Sequence, residues 1–271
     1  MRSYADVREV AVDATEAASE VIRAGWRSSA ATAEVKAAGD YVTEVDRAAE
    51  AAVLKVLRER TPHIPVLAEE SGGTREHDQL WVVDPVDGTT NLLRGFPVVG
   101  VSVALLEAGR PVVGAVAAPL LEARWSAAAG EGAADARGRP LQMSTRPAAQ
   151  QVVATGFPFR EPRQRLARYL PTMEGALREF EDLRRAGAAS LDLAYTAAGV
   201  WDGFFELGLA IWDIAAGAVL VREAGGVVTD WKGDADAVFK NGDILAGTPA
   251  WHRAMLTLMA ASPETPPPLD A

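Results

Sequence analysis

From Asp6 to Trp26 the apolar residues Val7, Val10, Ala14, Ala17, Val21 and Ile22 recur at helical spacing and predict one long amphipathic helix. A second helix is expected from Val42 to about Arg60, with Thr43 as N-cap and Ala49, Val53, Val56 and Leu57 turned inward. The intervening AEVKAAGD reads as a loop around Gly39. Short apolar runs, Ile64 to Ala68 and Leu80 to Val83, then read as strands that end in acidic residues. Val98 to Leu106 and Val112 to Ala117 flank Glu107-Ala108-Gly109-Arg110 and predict a hairpin. Arg124 to Ala128 gives a further strand before a glycine-rich turn over Gly130 to Gly138.

Beyond Leu141 the rhythm is mixed. Val152 to Thr155 reads as a strand, and Arg163 to Leu183 as helix with a break or new start at Pro171. Ser190 to Gly199 predicts a helix, Asp202 to Leu207 a strand, and Trp212 to Ala224 a helix ended by Gly225-Gly226. Val227 to Asp230 and Ile244 to Ala246 are short strands, and Thr248-Pro249 opens a last helix with proline in its first turn. The pattern predicts a layered α/β sandwich of two halves, 1–140 and 141–261. The proline- and acid-rich segment 262–271 is expected to be a disordered tail.

Composition narrows the chemistry. Cysteine is absent, which excludes disulfides and thiolate zinc sites and fits a cytoplasmic location. Net charge is −10, so nucleic acid and anionic membrane are not expected as partners. No signal-peptide core or long apolar span occurs. His63, His77 and His252 sit outside every motif and are expected at the surface.

The strongest chemical signal is WVVDPVDGTTN, Trp81 to Asn91. An apolar strand runs into Asp84, a proline turns the chain, and Asp87 follows three residues on. Two carboxylates so placed can converge on a hard cation, and the N–H groups of Gly88, Thr89 and Thr90 at a helix start can cradle phosphate. An isolated Asp84-Pro85 would instead read as a structural turn before a capped helix; the full run DPVDGTT favours the metal site. In AEES, adjacent Glu69 and Glu70 point to opposite sides of an extended chain, so only one faces a shared site. Asp213 begins the apolar helix of IWDIAAGA, where capping is its ordinary role.

Taken together and in this order, TEVD, AEES, DPVDGTTN and WDIAAGAVLVREAGG resemble the inositol monophosphatase family, from the first helix to about Gly247. The resemblance implies an α-β-α-β-α sandwich of the sugar phosphatase type. It also implies two to three magnesium ions, or manganese, held by Glu69, Asp84, Asp87, Asp213 and the carbonyl of Val86. One ion would sit on Glu69, Asp84 and Val86, a second on Asp84, Asp87 and Asp213, and a weaker third beside Glu69. The implied reaction is direct in-line attack of metal-activated water on a small phosphorylated polyol or sugar, inositol 1-phosphate above all. Thr89, Asp46, Glu69 and Lys36 would form the catalytic group, although Asp46 also suits the helix dipole and Lys36 an ordinary solvated loop. Asp87, Gly88, Thr89, Thr90, Gly187, Ala189, Glu206 and Asp213 would contact the substrate. Lithium sensitivity and a homodimer follow from the same resemblance.

Leu92 and Arg94 stand where the family commonly has an aromatic residue and a histidine; Leu92 is expected in the core. Related enzymes act on fructose 1,6-bisphosphate, histidinol phosphate or nucleotide phosphates, and Arg160, Arg184 or Arg185 could meet a second phosphate. Outside enzymes, WKGDADAVFKNGD lacks the EF-hand ligand spacing, and a partner-binding relative that has lost catalysis should lack a metal ligand, which this chain does not.

Overall fold

β4 (Gln79–Asp87) is buried on both faces, and its side chains point alternately into two cores, which organises the protein. The computed structural model describes residues 3–26, 34–37, 40–159 and 162–261. Helices α1 (Tyr4–Gly25) and α2 (Glu44–Arg60) pack against Trp81 and Val83 on one face of β4. On the other face Leu80 and Val82 meet α5 (Ala189–Ala197) and α6 (Ile211–Glu223). The first sheet has the order β3-β4-β5-β6-β7-β8, from β3 (Val66–Ala68), β5 (Gly100–Glu107), β6 (Arg110–Ala118), β7 (Ala123–Ala128) and β8 (Gly132–Asp135) beside β4.

A second sheet, β10-β9-β11-β13-β12, is built from β9 (Val152–Thr155), β10 (Asp182–Arg184), β11 (Gly203–Glu206), β12 (Val227–Thr229) and β13 (Ile244–Gly247). Its Ala154, Phe204 and Ala246 join the core of α5 and α6. Its Val153, Phe205 and Leu245 instead face α4 (Pro162–Glu179) and α8 (Pro249–Ala261), around Tyr169 and Trp251. The order helix, sheet, helix, sheet, helix is therefore the expected layered α-β-α-β-α sandwich.

Local chemistry explains the turns. Ala108 (φ 48°) and Gly109 (φ 77°) make a two-residue turn of positive φ between β5 and β6, as expected for a hairpin. Thr43 caps α2: its side chain accepts from the Val45 and Asp46 amides, while Asp46 Oδ2 accepts from the Thr43 amide at 3.1 Å.

Several expectations need correction. Within AEVKAAGD, β1 (Glu34–Ala37) pairs antiparallel with β2 (Asp40–Val42), so the segment is strand on both sides of Gly39, which lies outside the described residues. Three or four residues give too short an alternation to read. The glycine-rich turn similarly contains β8, paired with β7. α4 passes unbroken through Pro171, because Tyr169 before it and Ala176 after it are buried in one core. It ends before Leu183, which lies in β10. His252 is buried, not superficial, with Nε2 2.7 Å from Thr229 Oγ1. A short helix α7 (Val238–Asn241) also escapes the pattern. Arg160 and the segment 262–271 lie outside the described residues.

Candidate active site

Pro85 has no amide hydrogen, and β4 slips against β5 at this point: Asp84 pairs with Ser102, but Asp87 pairs with Gly100. One extra residue on β4 makes a bulge, which re-aims side chains at the end of the strand. Asp84, Val86 and Asp87 consequently open into one cavity of about 570 Å³, together with Glu69 from the end of β3. Glu70 does not line it; its amide donates to Glu50 Oε2 at 2.9 Å. Gly88 turns the chain at φ 94°, where a Cβ would lie 3.0 Å from the Val98 carbonyl oxygen, so glycine is required. Thr89 and Thr90 then begin α3 (Thr89–Arg94), with Leu92 buried beneath as expected.

The opposite wall comes from the second half of the chain: Gly187 and Ala189 at the start of α5, Glu206 at the end of β11, and Asp213 in the first turn of α6. Ser102 Oγ donates to the Trp212 carbonyl at 2.9 Å and fixes the α6 end over the first sheet. Asn91 Nδ2 donates to the carbonyls of Val98 and Ala186, at 2.7 and 3.0 Å, and ties α3 to the loop before α5. Eleven expected positions from distant segments thus share one cleft. Asp46 stands behind it, accepting from Thr89 Oγ1 at 2.8 Å. Lys36 lies on β1, whose side chains are not described.

Electrostatics mark the cleft as unusual. The Asp84 carboxyl is held well above the ordinary carboxylate range, first by burial and then by the charges of Glu69, Asp87 and Asp213. Asp46 is also raised by burial, against the lowering effect of its bonds from Thr43 and Thr89. Among the described residues no three acidic or histidine side chains are gathered closely enough to grip a metal ion as they stand. The donor set nonetheless fits a hard divalent cation: it is all oxygen, and a buried carboxylate facing three others gains most from a positive charge between them.

Sequence reading missed several supporting residues. Ser190 holds Asp87 Oδ2 twice, by its amide at 2.7 Å and its hydroxyl at 2.6 Å. Its place just after Gly187, at a helix start, was the available signal. Gly100 makes room for this, since a Cβ there would lie 2.4 Å from Ser190 Oγ. Gly156 does the same for Glu206, whose carboxylate sits where a Cβ would be. Asp192 lines the cavity but is buried, and its Oδ1 has no hydrogen-bond partner; a lone carboxylate in an otherwise uncharged helix was legible. Of the arginines considered for a second phosphate, Arg185 lines the cleft, stacked on Phe157 and Phe159, whereas Arg184 is paired with Asp182 outside it.

The model of the inositol monophosphatase family matches residues 3–264. The chain is similar to a protein of Pseudomonas aeruginosa named Nus factor SuhB, 43% identical over 267 residues, covering 96% of this chain and 97% of that one. Among solved structures it resembles the extragenic suppressor protein suhB from Bartonella henselae (TM-score 0.88, 35% identity, 94% and 99% coverage). It also resembles an inositol monophosphatase from Anabaena (Nostoc) sp. PCC 7120 (TM-score 0.84, 32% identity, 96% and 97% coverage). The naming of a relative as a Nus factor overturns the expectation that nucleic acid is excluded as a partner. That expectation rested on net charge, which sums the whole surface and does not constrain contacts made through one face or through an intermediate protein. No helix among the described residues is long and apolar enough to cross a membrane.

Proposed function

The chain belongs to the inositol monophosphatase family, and from that membership we propose that it hydrolyses a small phosphate monoester with magnesium, inositol 1-phosphate being the first candidate. The observation that carries this reading is the meeting of Glu69, Asp84, Asp87 and Asp213 in one cleft, with Thr89 bonded to Asp46 beside them. Glu69, Asp84, Asp87, Asp213 and the Val86 carbonyl would hold the metal. When bound, magnesium lowers the pKa of a coordinated water and neutralises charge on the phosphate.

The residues divide the remaining work. Thr89 donates its one hydroxyl hydrogen bond to Asp46 Oδ1, so its oxygen lone pairs can accept a hydrogen bond from water, and a proton taken from that water would be balanced by passage of the threonine proton to Asp46. The amides of Gly88, Thr89 and Thr90 would hold phosphate oxygens. Glu206 and the Gly187–Ala189 backbone lie across the cleft, placed to accept and donate to hydroxyls of the alcohol. Ser190 keeps Asp87 from turning away.

Phosphate release by purified protein should require magnesium, stop with EDTA, and be fastest for inositol 1-phosphate among esters that include fructose 1,6-bisphosphate, histidinol phosphate and NADP. Preference for another ester would move the substrate and keep the class; no release from any would end the reading. By the same reading, lithium should inhibit uncompetitively where equal potassium does not. The names of the relatives support a second role, in transcription as a Nus factor. Asp84→Asn separates the two: it should abolish phosphate release, and if it still complements loss of the Pseudomonas aeruginosa relative, that role does not need catalysis.

A further inference from the structure

A second cavity, of about 330 Å³, lies next to the first. Its floor is apolar, formed by Leu80, Leu106, Ile211 and Phe239. Its rim carries Arg75, Arg110 and Lys240 against one carboxylate, Asp236, a local basic excess on a chain of net charge −10. Asp236 is already engaged by Arg110 at 2.9 Å. Arg75 gives one N–H to the Phe239 carbonyl at 3.2 Å, which leaves other guanidinium donors. The Lys240 ammonium makes no hydrogen bond or ion pair among the described residues, although Asp234 lies near enough to feel its charge. Behind Phe239, the Arg222 guanidinium stacks at 5.1 Å and adds a further cation. Burial, and to a smaller degree repulsion by Arg110, lowers its affinity for the proton, against the pull of Asp236.

Like charges gathered over an apolar floor are stabilised by an anion with an apolar body. The volume lies at the small end of the range for ligand pockets, too small for a polymer to be enclosed. One segment also walls both cavities: Leu209 and Asp213 face the first, and Ile211, between them, faces the second. The Leu209 amide donates to the Gly242 carbonyl at 2.9 Å, directly after the helix that supplies Phe239 and Lys240. The geometry points to a second ligand site, separate from the carboxylate cleft, that takes a small organic anion with its acidic group at Lys240 and Arg75 and its apolar body on Phe239 and Ile211.

The test is calorimetric titration of the full chain with phenylphosphonate in EDTA, where the metal-free carboxylate cleft repels anions. Saturable binding of one molecule per chain is expected, weakened about tenfold or more by Lys240→Glu and further by adding Arg75→Glu. Lys240→Glu alone leaves the Arg75–Phe239 contact in place, so its effect does not depend on refolding of that loop. Arg58→Glu, on an exposed face of α2, should leave binding unchanged and controls for net charge. Absence of saturable binding in EDTA, or equal binding by wild type and Lys240→Glu, would overturn the site. So would clearly tighter binding by Asp84→Asn, because removing a carboxylate from the first cavity favours an anionic probe only if the probe is held there.

Discussion

Asp84 is buried with three other carboxylates around it, an arrangement that opposes folding unless a cation or a proton intervenes. A carboxyl whose folded pKa is raised contributes stability while protonated. That contribution is complete below the unfolded value of about 4 and is lost as pH rises through the raised folded value. In EDTA, Asp84→Asn should therefore melt higher than wild type, by a margin that widens as pH is raised from about 4; with magnesium present, its phosphate release should be about a thousandfold slower. Calorimetric scans at several pH values check the sign; a margin independent of pH would assign the effect to packing. Ser190→Ala tests the support of Asp87: it should lower kcat/KM by roughly tenfold or more, the loss of a hydrogen bond to a charged group, with little change in Tm. Glu206→Gln should lower kcat/KM for inositol 1-phosphate by about ten- to a hundredfold and leave p-nitrophenyl phosphate, which has no alcohol hydroxyls, nearly untouched. An equal fall on both would place Glu206 in the phosphoryl chemistry or in folding.

Between elements, backbone approach matters as much as side-chain type. α6 lies so close to β6 that a Cβ on Gly114 would sit 2.5 Å from the Ala216 carbonyl oxygen and 2.8 Å from its Cα. Backbone atoms cannot rotate aside, so Gly114→Ala should cost about 1–3 kcal/mol or more in denaturant unfolding. It should also reduce activity, because α6 carries Asp213. The reverse holds in α4, where Pro171 interrupts the hydrogen bonding of an otherwise continuous helix. Pro171→Ala should stabilise the protein by about 1–3 kcal/mol without changing kcat. The motifs on either side of the cleft were readable because each is local: an apolar strand running into Asp84, and Asp213 opening an apolar helix. The bulge after Pro85 and the clasp of Ser190 on Asp87 were not, because register against β5 and the seating of α5 involve partners far away in the chain.

For the whole molecule, the layer of α5 and α6 joins the two sheets, and the cleft opens where both sheets meet it. A ligand that binds only the folded state should stabilise all of it: magnesium at a hundred times its Kd adds about 2.7 kcal/mol. Thermal shifts should show this gain in wild type and its loss in Asp84→Asn. By itself the sequence determined the layer pattern, the capped start of α2 and the pairing of Asp84 with Asp87 at a strand end, because periodicity, capping and strand-end chemistry act over a few residues. It also carried enough of the family's motifs to point to the family, which the match over residues 3–264 then showed. Only the tertiary structure decided which of Glu69 and Glu70 faces the cleft, that His252 is buried, that Pro171 does not break its helix, and that a basic pocket stands behind Asp213. Each of these depends on burial against segments remote in sequence, where packing energy overrides local preference, and net charge, a sum without position, could not stand in for it.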